Sequence, residues 1–246
     1  MGSAFEAWGR AIGRLTVPTL QKARWAWQTI AGSESDRIKA ERELGGVLAQ
    51  QIRAVSEGQA AESDIKLVRG IASALAARVK NRQLRFSVDV IRIGEPSAMA
   101  LPGGYLFVST SLLDLCNRYQ DEIAFVLGHE MAHVMRGHAS DRFLQESLLK
   151  VLTSRIGSAT PLGGLVKQTT LQLLASTYSQ DCEFEADELG SRLAHAAGHH
   201  PLASIRLLDR LQRLRASESE IGQYFSSHPT PAERMRRLQK QWGRKG

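Results

Sequence analysis

Apolar residues in the first third of the chain recur at helical spacing. Ile38, Leu44, Val47, Leu48, Ile52 and Val55 make one face, because positions three and four apart align along a helix. The polar stretch "AGSESDR" (31–37) precedes them and offers Ser33 or Ser35 as the cap. The helical pattern continues to about Asn81, with a second helix from roughly Ala61 to Val79. The period then changes. In "RFSVDVIRI" (85–93), Phe86, Val88 and Val90 fall on one side of an alternating run, which predicts a strand. "YLFVST" (105–110) reads as a second strand, and "GEPSAMALPGG" between them as a turn-rich connection.

After Ser109 the pattern is helical. Asn117, with Gln120 three residues later, is expected to cap the helix that follows. "GSATPLGG" (157–164) is the clearest loop, and further helices fit 165–197 with an interruption, 201–216 and 231–241. There are no internal repeats. The count predicts an α+β fold, predominantly helical, with a small sheet.

Composition narrows this picture. With 246 residues, 43% hydrophobic and 23% charged, the chain sits in the ordinary globular range and has length for one substantial domain. Cys116 and Cys182 are too few for a disulfide framework and read as buried thiols. The net charge of +7 is concentrated at the two ends: Arg10, Arg14, Lys22 and Arg24 against Glu6, and six basic residues from Arg234 to Lys245 against Glu233. No aromatic-interleaved basic stripe accompanies it, so nucleic acid is not expected as a partner.

Residues 1–32 form a basic, amphipathic segment holding Trp8, Trp25 and Trp27, divided by Pro18. Such a composition suits peripheral membrane contact through residues 1–30, or packing of the tryptophans on the domain. No run approaches the ~20 apolar residues of a membrane span, and no secretory pattern is visible. The expected location is cytoplasmic or, with a leader already removed, periplasmic, with membrane association open.

The chemistry lies in "VLGHEMAHVMRGH" (126–138). His129 and His133, four apart, sit about 40° from each other around a helix, so both imidazoles reach one ion. Glu130 flanks the same face, close enough to hold an attacking water. His138, nine residues from His129, is expected on the opposite side as a solvent or packing histidine. A further ligand is available in "DCEFEADELG" (181–190). Glu183 and Asp187 share a face there while Glu185 points nearly the opposite way, so one acid can ligate and another orient a ligating histidine. Phe184, Ala186, Leu189 and Leu193 interleave the acids, so this helix is expected to be partly buried.

Four stretches in order, "LPGGYLFVSTSLL", "DEIAFVLGHEMAHV", "CEFEADELGSRLA" and "SHPTPAERMRRL", resemble the M48 family of zinc metallopeptidases over roughly residues 96–240. The resemblance implies a zincin-like (gluzincin) peptidase domain over 33–246 with one Zn2+ per chain. It implies His129, His133 and Glu183 as metal ligands, Glu130 as the general base, and Asp187 as the orienting acid. It also places His228 near the metal as fourth ligand or transition-state stabiliser. The chain departs from the family at Ser97, where an asparagine is common. Its lack of membrane spans points to the branch without transmembrane helices.

The function the resemblance implies is endopeptidase action on unfolded or flexible proteins, in a protein quality-control role inherited from the family. Substrate is expected to add a strand along Ala98, Met99, Ala100 and Leu101, since Pro102 and the glycines after it suit a sheet edge. The alternative is a latent zincin-fold binding or chaperone-like module, with His228 capping the metal. Glu130 favours the peptidase, because a module without catalysis has no need of a base there. The sequence leaves oligomeric state and cleavage preference open.

Overall fold

The computed structural model describes residues 32–54, 56–143, 178–217 and 231–243. The tryptophans of the N-terminal segment, the 157–164 loop, the first part of the helix expected over 165–197, and His228 lie outside the described residues.

Helix α1 (Glu34–Arg53) opens on Ser33, whose hydroxyl accepts from the Asp36 amide while the Asp36 carboxylate accepts from the Ser33 amide. This reciprocal capping satisfies two otherwise orphaned N–H groups. Helix α2 spans Glu62–Ala76. Strands β1 (Ser87–Ile91), β2 (Ala98–Leu101) and β3 (Tyr105–Ser109) form a sheet of order β1-β3-β2, with β1 parallel and β2 antiparallel to β3. The connection read as turn-rich therefore holds a strand over the residues expected to form the sheet edge, Ala98–Leu101. Its four apolar residues are too short a run to reveal their period in sequence.

The sheet is a middle layer. Val88, Ala98, Ala100, Leu106 and Val108 enter the larger core with α2 and the later helices. Ile91, Met99, Leu101 and Phe107 face the other way, onto Ala40, Leu44, Leu48 and Ile52 of α1. Alternation of side chains across a strand explains both assignments.

Helix α3 (Thr110–Leu115) is capped by Ser109, whose hydroxyl accepts from the Leu112 amide. Asn117 does not cap the next helix. It and Arg118 adopt positive φ, 47° and 55°, and reverse the chain, a conformation asparagine tolerates. Helix α4 (Gln120–Met135) then starts after Tyr119 with no side-chain cap.

Every residue of α4 from Glu122 to Val134 is buried, so it is a central helix and not an amphipathic surface one. Burying Ile123, Phe125, Leu127 and Met131 stabilises by about 1.5–3 kcal/mol each. That margin lets the same helix carry polar groups inside, at a cost of order 1–3 kcal/mol for each neutral one. Helices α5 (Gln180–Ala196), α6 (Ala203–Ser217) and α7 (Pro231–Trp242) complete the described chain. Cys116 is fully buried, and burial pushes its thiol up to about 12. Cys182 is only half-buried, contrary to expectation, because it begins α5 at the surface.

Candidate metal centre

Helices α4 and α5 meet where neither has a side chain. A Cβ on Gly128 would lie 2.6 Å from the Gly190 carbonyl oxygen, and one on Gly190 would lie 2.5 Å from the His129 amide nitrogen. This glycine-on-glycine crossing brings the backbone of α5 against the start of the HExxH stretch, so that Glu183 reaches both histidines. All three side chains are 2% exposed or less. Nε2 of His129 and Nε2 of His133 are 3.1 Å apart, and the Glu183 carboxylate oxygens lie 3.6 and 3.4 Å from them. An ion held tetrahedrally at about 2.0–2.1 Å separates its ligand atoms by about 3.3 Å. The triangle fits one divalent ion.

The outward ring nitrogens are engaged too. His129 Nδ1 lies 2.9 Å from Asp187 Oδ1. Its proton is assigned there by that carboxylate, which leaves the Nε2 lone pair facing the shared point. Asp187 is itself clamped by Arg234 of α7, which donates from Nε and Nη2 at 2.7 Å each. Arg234 Nη1 also lies 3.0 Å from Glu183 Oε2.

Charge coupling follows from this packing. Burial drives the Asp187 carboxyl up, but Arg234 and the His129 hydrogen bond outweigh it and hold it below the usual range. Burial likewise pulls His129 down, and Asp187 and Glu183 reverse that, leaving it raised. Glu130, 1% exposed, sits next to His129 on the same buried helix.

The structure thus brings His129, Glu130, His133, Glu183 and Asp187 into one buried neighbourhood. Ala98, Met99, Ala100 and Leu101 form β2, at the sheet edge and paired only with β3 among the described residues. His228 lies outside the described residues. His138 contradicts its expected place. Helix α4 ends at Met135 with Arg136 as its cap, Gly137 turns at φ 77°, and His138 comes back to put Nδ1 3.1 Å from His133 Nδ1. Extending the helical period past residue 136 caused that error.

Two further side chains at the site escaped the sequence reading. Arg234 occupies, with Pro231, Leu238 and Trp242, the buried face of α7. An arginine where the helical pattern wants a hydrophobe was the available signal. Tyr178 stacks on the His133 ring at 3.9 Å between centroids and 16° between planes. It lies two residues before α5, outside that helix's periodic run, so periodicity offers no signal for it.

Fold and site together define an α+β domain built around a buried histidine-bearing helix, with His129, His133 and Glu183 placed so that they could hold one metal ion. Residues 64–242 match peptidase family M48, and the chain belongs to that family of metallopeptidases. It is 29% identical to mitochondrial metalloendopeptidase OMA1 of Schizosaccharomyces pombe over 160 residues, 63% of this chain and 46% of that protein. It is 27% identical to metalloprotease LoiP of Escherichia coli over 173 residues, 68% and 66% of the two chains. The human metalloendopeptidase OMA1 is 27% identical over 169 residues, 63% of this chain and 32% of its own. The match thus spans about half or less of the OMA1 relatives' length. No described helix is long and apolar enough to cross a membrane.

Proposed function

We propose that this chain is a zinc-dependent endopeptidase acting on unfolded or flexible protein segments. The observation that carries the reading is the buried triangle of His129 Nε2, His133 Nε2 and Glu183, with edges of 3.1 to 3.6 Å. Two imidazoles and one carboxylate are the donor set zinc takes in hydrolytic sites. When bound there, zinc supplies Lewis acidity to the scissile carbonyl and makes water acidic enough to ionise near neutral pH.

The protein's own groups supply the rest. Glu130 takes the proton from the attacking water on its carboxylate and delivers it to the leaving amine nitrogen. Asp187 holds the Nδ1 proton of His129, so that Nε2 remains a lone-pair donor. Arg234 keeps the Asp187 carboxylate ionised and holds Glu183 and Asp187 in place. The names of the relatives, metalloendopeptidase and metalloprotease, support the same reading.

Substrate lies extended beside β2 in this reading, joining the sheet at Ala98–Leu101 through main-chain hydrogen bonds. Ala98 and Ala100 share the core of α4, which sets that edge against the helix carrying the ligands. Backbone recognition favours loose sequence preference and unfolded substrates, which suits a role in protein quality control. His228 is the proposed donor to the developing oxyanion.

The test is degradation of casein by zinc-loaded protein beside the Glu130→Gln variant. Cleavage by the wild type and a loss of at least about a hundredfold in the variant are expected, since general acid–base catalysis contributes 10²–10⁴-fold. Equal rates in both proteins would overturn the assignment of Glu130. No cleavage by either, with zinc bound, would favour a latent binding module.

A further inference from the structure

His138 and Glu185 meet on the far side of the second metal-binding histidine. Gly137, at φ 77°, ends α4 and starts the helical stretch that covers residues 138–143. This turn buries the His138 ring to 9% exposure and puts its Nδ1 3.1 Å from His133 Nδ1. His138 Nε2 then lies 3.3 Å from Glu185 Oε2, and Arg136 Nε lies 2.9 Å from the other oxygen, Oε1.

The proton assignments along this line are forced once His133 Nε2 is a ligand. A ligating Nε2 must keep its lone pair, so the His133 proton is on Nδ1. Two ring nitrogens 3.1 Å apart share one hydrogen, so His138 Nδ1 must accept it. The His138 proton is then on Nε2, where the Glu185 carboxylate is the acceptor. Each partner's position agrees with the next.

We propose that His138, held by Glu185 and Arg136, is a positioning residue that orients His133 and thereby sets the metal affinity of the site. The inference rests on the metal-site reading above. It gives each ligating histidine its own support: Asp187 with Arg234 behind His129, and His138 with Glu185 behind His133. The two supports use opposite sides of α5, since Asp187 is about 200° around the helix from Glu185. It also explains why a histidine is buried at the end of α4 although it is turned away from the metal.

The experiment measures zinc affinity of the full chain by competition with a chromophoric chelator, beside the melting temperature of the zinc-stripped protein. His138→Ala is expected to weaken zinc binding about 10–100-fold, the usual cost of losing a partner behind a metal-binding histidine. His138→Gln is expected to rescue most of that affinity, because its amide oxygen accepts from His133 and its amide nitrogen donates to Glu185. Glu185→Ala is expected to weaken binding less, since Glu185 is 43% exposed, and this surface change keeps the test available if His138→Ala does not fold.

Wild-type affinity in both alanine variants would overturn the proposal, provided His133→Ala abolishes binding. So would failure of His138→Gln to rescue affinity when its zinc-stripped melting temperature matches that of the wild type. A wild-type chain that binds no zinc would instead overturn the underlying metal-site reading, and this inference with it.

Discussion

At the scale of single residues, the centre depends on buried charge that is held in fixed geometry. Arg234 is 1% exposed and forks onto Asp187 while reaching Glu183. Removing one partner of such a buried pair costs about 3–5 kcal/mol, because the other charge is left in a low-dielectric site. Arg234→Ala is therefore expected to lower the urea midpoint by that much stability and to weaken zinc binding. Arg234→Lys is expected to restore neither fully, since an ammonium lacks the fork. Glu41 of α1 shows the opposite electrostatics. Burial raises its carboxyl above the usual value of 4.5, with the Ser140 hydroxyl and Arg37 offsetting this only in part. The folded state thus favours the protonated acid, and that stability is lost as pH rises through the folded pKa. Glu41→Gln is expected to melt higher than the wild type at pH 7.5, with the gap closing towards pH 4.5. A gap independent of pH would contradict this account. Glu41 was not legible from pattern, because a charged side chain inside a helix face reads as a solvated one until its neighbours are known, and for Arg234 the one signal was its place on the apolar face of α7.

At the scale of elements, the decisive contact is the crossing of α4 and α5. Gly190 approaches the His129 amide and the Gly128 carbonyl carbon so closely that an added Cβ would sit 2.5 and 2.7 Å from them. Both are backbone atoms and cannot rotate away. Gly190→Ala is expected to destabilise the fold by about 1–3 kcal/mol, as overpacking does. It is also expected to lower zinc affinity on the order of tenfold, comparable to the loss of an orienting partner, because Glu183 moves with α5. Thermal melts and chelator competition on the same variant check both effects, and unchanged affinity would show that α5 tolerates the shift. Elsewhere the elements follow local rules. The Ser33 cap, the period-two strand β1 and the helical period of α1 were readable because each is set within a few residues. The helix cap expected at Asn117 failed because Asn117 took the other role open to it, a left-handed turn.

For the whole molecule, the sheet is held between α1 and the helices around α4, and the proposed ligands come from α4 and α5 with α7 locking behind them. An ion at their meeting point binds the folded chain and not the unfolded one, so it stabilises by linkage. At a hundred times its dissociation constant that amounts to about 2.7 kcal/mol. Stripping with EDTA is expected to lower the melting temperature, and zinc added in excess to restore it. His133→Ala is expected to show neither change. A wild-type melting temperature unaffected by EDTA would argue against a metal linking these helices.

The sequence by itself determined what depends on the period of the backbone. Histidines four apart share a helix face, Glu183 and Asp187 share another, and the alternation of 85–93 makes a strand. Four motifs in order were enough to resemble the family. Only the tertiary structure decided which faces meet. It set the order β1-β3-β2, placed Arg234 behind Asp187, and turned His138 back onto His133. Periodicity says which residues of one element point the same way, but it carries no information about contacts between elements far apart in the chain. Those contacts are chosen by packing: two glycines that let helices touch, one left-handed residue that reverses a helix end, and a buried arginine that must find its acids.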